Sequence, residues 1–168
     1  MKTEINNTEN LAKIKTVIES LRICMFTTLH ADGMMHSRPM STSQMDADGS
    51  LWFFSNESSE KSFDIKSNPM VSLSYTDERN STYYAIKGYA NIITDKTLIQ
   101  TLWNPILKVW FPKGIDDPDL SLIKVELNSV EYWDASSFKM VQLYQMAKAF
   151  VTGTKADLGK HGIIEIEK

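Results

Sequence analysis

The sequence is poor in cysteine: Cys24 is the only one among 168 residues, so no disulfide can form within the chain, in keeping with a reducing compartment. Long apolar runs are also missing, and nothing approaches the ~20 consecutive apolar residues of a membrane-spanning helix. There is no excess of basic charge. The 18 Lys and Arg face 21 Asp and Glu, the formal net charge is -3, and the cations are scattered, so the footprint of a nucleic-acid-binding protein is absent. The three histidines, His30, His36 and His161, are accompanied by no second cysteine and no H-E-x-x-H helix, and no metal site is expected. Residues 1–10 carry acids and asparagines where a secretory signal needs a basic patch and an apolar core, so the expected location is cytoplasmic. The Asn-x-Ser/Thr triplets at Asn6, Asn56 and Asn80 are then chance matches. Repeats and low-complexity tracts are absent.

What is present suits one core. A hydrophobic content of 42% over this length implies a single domain covering residues 1–168. Leu11, Ile14, Val17, Ile18 and Leu21 recur at helical spacing and predict an amphipathic helix ending near Arg22. Ile23 to His30 reads as a strand, Ala31-Asp32-Gly33 as a hairpin turn, Met34 to Met45 as a second strand and Leu51 to Phe54 as a third, together a meander. Ser58 to Ser67, stopped by Asn68-Pro69, predicts a short helix. Val71 to Thr76 alternates apolar and hydroxyl residues, as a half-buried strand does. A longer strand follows over Thr82 to Ile93, where Gly88 marks a bulge or a close backbone approach. Asp95 to Trp110 reads as helix broken at Pro105, Leu122 to Leu127 and Val130 to Trp133 as the last strands, and Phe138 to Val151 as a C-terminal helix. The fold class expected is α+β, mainly β: a six-stranded antiparallel barrel with flanking helices.

Arg38 lies mid-strand between hydroxyl-bearing neighbours, and a half-buried guanidinium there needs an anion. Ser55-Asn56-Glu57-Ser58-Ser59-Glu60-Lys61 leaves a strand and enters a helix, offering hydroxyls, backbone N–H groups and a lysine, the parts of a phosphate site. Two readings stay open on these residues alone: an anion site, or Arg38 paired with a local carboxylate while the serines cap the helix. Trp103, Trp110 and Phe111 read first as core or dimer packing, and His36 as a sheet-edge residue. Cys24 reads as a small buried hydrophobe, and Asp116, Asp117 and Asp119 as a solvated turn without calcium-loop spacing.

The order Arg-x-Met on a strand, then Phe-Phe-Ser-Asn, Ser-x-Lys and Asn-Pro-x-Val-Ser-Leu resembles the pyridoxamine 5′-phosphate oxidase superfamily of FMN-binding split β-barrels. Lys108-Val109-Trp110-Phe111-Pro112, Asp116 to Leu120 and Glu131-Tyr132-Trp133-Asp134 look like its general stress protein 26 type. The resemblance implies a homodimer with FMN in a groove between subunits, a role it also assigns to the apolar face of the first helix. It places Arg38 and Lys61 on the FMN phosphate with Ser55 and Ser59 nearby. Met40, Ser41 and Phe54 would lie along the cofactor, and Trp133 at the border of its ring.

Departures from the oxidases bear on the reaction. Trp133 is followed by Asp134-Ala135-Ser136-Ser137, without the arginine and histidine that handle their substrate, and Glu60 stands where they carry an arginine. Pyridoxal phosphate synthesis is therefore rejected. The expectation is an FMN-dependent oxidoreductase passing electrons from a reduced nicotinamide to a small acceptor, with no residue named as catalytic. The alternative is a non-catalytic module with a stress-related role that holds a flavin, the deazaflavin F420 or haem.

Overall fold

The computed structural model of the protein describes residues 2–4, 7–134 and 160–166. Its nine strands are β1 (Lys2–Glu4), β2 (Ile23–Leu29), β3 (Met35–Ser41), β4 (Gln44–Met45), β5 (Leu51–Asn56), β6 (Met70–Asp77), β7 (Thr82–Ile93), β8 (Leu120–Asp134) and β9 (Lys160–Glu165). Helices α1 (Asn7–Leu21), α2 (Glu60–Ser67) and α3 (Lys96–Leu102) flank them, with 3₁₀ turns at Pro105–Val109 and Gly114–Asp116. All described strands share one curled sheet in the order β1-β9-β8-β7-β6-β2-β3; β5 joins it through β8, and β4 through β5. Every pairing is antiparallel except that of β1 with β9. This is a mainly-β, antiparallel split barrel, as expected, with more strands than six. No helix of the described residues is long and apolar enough to cross a membrane.

Several expected boundaries shift for physical reasons. The two segments expected as the last strands are one strand, β8, because its first half pairs with β5 while its second half pairs with β9. The second strand of the expected meander breaks after Ser41, and only its end, β4, meets β5. The pairing of β1 with β9 joins segments far apart in sequence and was not foreseen. The helix expected over 138–151 lies outside the described residues.

The core explains the alternation. Cys24, Phe26 and Thr28 of β2, Leu73 and Tyr75 of β6, and Ile86 and Ala90 of β7 point inward and are buried. Phe26 and Phe53 meet edge to face at 5.3 Å near the middle. Burial pushes the Cys24 thiol up to about 12, so it stays a neutral, unreactive group. Gly88 meets both expectations for it. The register of β7 against β8 shifts between Lys87 and Gly88, and a Cβ there would lie 2.5 Å from the Glu126 carbonyl oxygen.

The first helix departs from its expected use. Ile14 and Ile18 are buried in the chain's own core, with Leu11 and Leu21 packed against it, so this apolar face closes the barrel and is not surplus surface.

Candidate functional site

The site begins with strand periodicity. On β3, His36, Arg38 and Met40 face one side and Met35, Ser37, Pro39 and Ser41 the other. The first side meets the end of β5 and the start of α2. A cavity of about 390 Å³ opens round this edge strand, lined by Arg38, Met40, Phe54, Ser55 and Lys61 and, from the other side of β3, by Ser41. Six of the eight site positions expected from sequence thus converge.

Arg38 and Lys61 differ in how they are held. The Arg38 guanidinium donates from Nη1 to Thr28 Oγ1 at 2.7 Å, and its Nη2 stands 3.9 Å from Asp64 Oδ2. Asp64 is buried on α2 and accepts a hydrogen bond from Thr28 Oγ1 at 2.7 Å. Lys61 has no ion-pair partner among the described residues. Burial, and then the Arg38 charge, holds the Lys61 ammonium below the usual lysine range. Two cations share one end of a cavity, and one lacks a counter-charge. Arg38 thus has a local carboxylate, as one of the two readings expects, whereas Lys61 has none among the described residues.

The serines do not cap in the expected way. Ser59 occupies the N-cap of α2 without a side-chain capping bond. Its hydroxyl donates instead to the Asn56 carbonyl at 2.7 Å, as does that of Ser62 at 2.8 Å, and Ser55 Oγ lies 3.2 Å from Ser59 Oγ. The first N–H groups of α2 keep no side-chain acceptor from their own cap, which leaves them suited to an anion. Asp119 steadies this entry by accepting from the Ser58 N–H at 2.8 Å and the Ser58 hydroxyl at 2.7 Å. It is thus an anchor, and Asp117 beside it is buried, so the turn is not merely solvated.

Two expected positions lie off the cavity lining. Ser59 backs the wall through Ser55, while Trp133 sits near the end of β8, stacked on His161 at 5.0 Å. Conversely, Leu107, Trp110 and Phe111 line the cavity, where the sequence favours core or dimer packing for the aromatic cluster. Trp103 does pack, edge to face on Phe54 at 5.7 Å. His36 belongs to the edge strand, yet its ring turns to Glu60 on Arg38's side of β3 instead of capping the edge. The roles of Asp64 and Thr28 went unseen because nothing local marks them. The one available signal was Asp64 lying three residues after Lys61, on the same side of a helix.

An antiparallel split barrel with a cationic cleft between an edge strand and a helix N-terminus defines the class. The chain belongs to the pyridoxamine 5′-phosphate oxidase like family, whose model matches residues 9–157. The general stress protein 26 of Bacillus anthracis is 30% identical, with 74% of this chain and 93% of that chain covered and a TM-score of 0.65. The general stress FMN/FAD binding protein of Xanthomonas citri is 25% identical over 79% of this chain and 93% of that one, with a TM-score of 0.67. A protein of Clostridium acetobutylicum related to general stress protein 26 shares the fold with a TM-score of 0.68 at 22% identity, covering 80% and 97% of the two chains.

Proposed function

We propose that the protein binds FMN in this cavity and uses it as a flavin-dependent oxidoreductase of the general stress protein type. The observation that carries the reading is the unpaired Lys61 beside Arg38 at the start of α2, a cationic pocket of the kind a phosphate dianion neutralises. The donor set fits the group. Arg38 and Lys61 would hold the phosphate with the α2 N–H groups, and Met40, Ser41 and Phe54 would lie along the ring system. The Xanthomonas relative, named for FMN/FAD binding, supports the choice.

Bound flavin supplies reversible electron and hydride transfer. The chain supplies position, charge and exclusion of water. No carboxylate or imidazole belongs to the cavity lining among the described residues, so no side chain there is assigned a proton-transfer role. The same observation favours the second reading, a flavin module without turnover. NADH- or NADPH-dependent reduction of the bound flavin above that of free FMN supports the oxidoreductase. Tight FMN binding without it leaves the module.

Each charge-assisted hydrogen bond contributes about 1.5–3 kcal/mol. Arg38→Ala and Lys61→Ala should therefore weaken FMN binding roughly ten- to a hundredfold by fluorescence titration. Riboflavin, lacking the phosphate, should bind wild type weakly and be nearly indifferent to either change. Alanine variants that bind FMN as wild type does would remove the phosphate from this pocket.

The working unit proposed is a homodimer, now argued from a different surface than α1. Ile23, Met25, Met35, Met70 and Tyr89 are exposed on the outer face of β2, β3, β6 and β7, a set of large apolar side chains suited to a second copy. Trp110, 64% exposed at the cavity mouth, would be covered in the same assembly. Trp133 would then reach the cofactor across the subunit boundary.

A further inference from the structure

Beyond the flavin pocket, the other convergence of reactive side chains is at the far end of β3. His30 follows β2, His36 lies on β3 across the hairpin, and Glu60 opens α2. Their ligand atoms all lie within 4.8 Å of one another. Glu60 Oε1 is 2.7 Å from His36 Nδ1 and 3.4 Å from His30 Nδ1, so one carboxylate oxygen lies close to the same nitrogen of both imidazoles. The rings stack at 4.6 Å with 11° between their planes.

Zinc is bound at about 2.0–2.1 Å by imidazole nitrogen and 2.0–2.2 Å by carboxylate oxygen, which places ligand atoms on a tetrahedron roughly 3.4 Å apart. The His30–Glu60 distance matches that spacing, and the shorter His36–Glu60 hydrogen bond would open by about 0.7 Å to reach it. A second carboxylate backs the set. Asp64 Oδ1 lies 2.7 Å from His30 Nδ1, and Asp64 is only 3% exposed and fixed through its other oxygen by Thr28. That contact uses the same Nδ1 that stands 3.4 Å from Glu60, so Asp64 adds a further carboxylate oxygen on the side of His30 that faces the cluster. Asp32, 3.9 Å from His36 Nε2, adds a third negative charge to the cluster. Three carboxylates, those of Glu60, Asp64 and Asp32, thus stand round the two imidazoles, a concentration of negative charge that a divalent cation offsets. The ligands also stand on a hairpin and a helix start already held in place, not on a free loop.

We propose that His30, His36 and Glu60 bind a divalent first-row transition-metal cation, for which two imidazoles and one carboxylate are a suitable nitrogen and oxygen donor set. Asp64, on the same nitrogen of His30, is the adjoining carboxylate of the set. The ion occupies the place where Glu60 now bridges the two rings, beside the phosphate pocket and separate from it. The absence of any Cys or H-E-x-x-H pattern hid the site, because its members are brought together by a hairpin and a docked helix.

The test uses the full chain without a histidine tag, freed of metal by chelator. Zn²⁺ is titrated in competition with a chromogenic chelator, and Co²⁺ is added separately as a spectroscopic probe. One Zn²⁺ per chain is expected, together with visible Co²⁺ absorption typical of nitrogen and oxygen ligation. His36→Ala and Glu60→Gln, both at half-exposed or exposed positions, should each lower Zn²⁺ affinity by about a hundredfold or more and abolish the Co²⁺ bands, a larger loss than the 10–100-fold typical of outer-shell changes. His161→Ala, at a histidine paired with Glu131 elsewhere, should bind Zn²⁺ as wild type does. Lys61→Ala should lose FMN affinity yet keep Zn²⁺, so failure of the flavin reading and failure of this one are distinguishable. No Zn²⁺ binding at micromolar concentration, or equal affinity in wild type and His36→Ala, would overturn the proposal.

Discussion

Two cavities of nearly equal size share walls from β2 and β3, about 390 Å³ beside Arg38 and about 420 Å³ beside Gly88. The first collects two cations, hydroxyls and a helix N-terminus. The second is walled by Leu29, Met35, Met70, Val71 and Tyr89, with Lys87 as its only charged residue. Size therefore does not separate a ligand site from a surface depression. What separates them is charge that the chain itself leaves uncompensated, present in the Lys61 pocket and matched in the second cavity only by a solvent-exposed lysine. The apolar cavity is suited to contact with a second copy, the charged one to an anionic ligand.

The largest effect expected is in the second cavity's floor. Gly88→Ala places a methyl group 2.5 Å from a backbone oxygen and 2.9 Å from Val125 Cγ1, so β7 or β8 must move. Overpacking of this kind costs about 3 kcal/mol, read as a shift in urea midpoint. A loss below about 0.5 kcal/mol, within the range of neutral surface changes, would mean that the bulge relocates freely.

The comparison is sharpened most directly by lysines. Lys61→Ala should weaken FMN roughly ten- to a hundredfold, as above, whereas Lys87→Ala in the apolar cavity should leave the FMN dissociation constant unchanged. Equal effects from both would dissolve the distinction. Next in size, Met70→Asp puts a charge into the proposed contact between copies. Burying a methionine contributes about 1.5–3 kcal/mol, so the dimer dissociation constant should rise about tenfold or more by sedimentation. A wild-type chain that sediments as a monomer while holding FMN would remove the dimer altogether.

The smallest effect concerns Asp119, which ties the entry of α2 to β8. Its hydrogen bonds from the Ser58 side chain and then the Ser58 N–H hold its carboxyl below the usual range. A carboxyl depressed in the folded state stabilises above its unfolded pKa of about 3.9, and that contribution is lost as pH falls through the folded value. Wild type should therefore lose slightly more stability between about pH 5 and 3 than Asp119→Asn does, followed by thermal melting. Parallel acid profiles would show that the latch carries no pH-dependent stability.

Much of this is legible in the sequence. Arg38 was conspicuous because a guanidinium on a paired strand needs an anion, and the Ser55 to Lys61 segment was conspicuous because hydroxyls precede a helix. Gly88 was legible because a glycine inside a β-branched and aromatic run has a geometric cause. The partner of Arg38 was not, since Asp64 reaches it only when α2 docks against β2. Nor was the use of α1: its apolar stripe was plain, but what covers the stripe depends on the curvature of the sheet. Trp110 and Trp133 show the same limit. Both are exposed aromatics, and only one of them lines the cavity in a single chain.

The sequence by itself determined the strand alternation, the turns, the short helix and the order of motifs that marks the family. These follow from periodicities and backbone preferences that act over a few residues. Tertiary structure alone decided which cation lacks a partner, which face α1 covers, and that His30, His36 and Glu60 meet. Such distances depend on sheet register and helix docking. A hairpin and an α2 placed one residue differently would keep every local pattern and lose all three contacts.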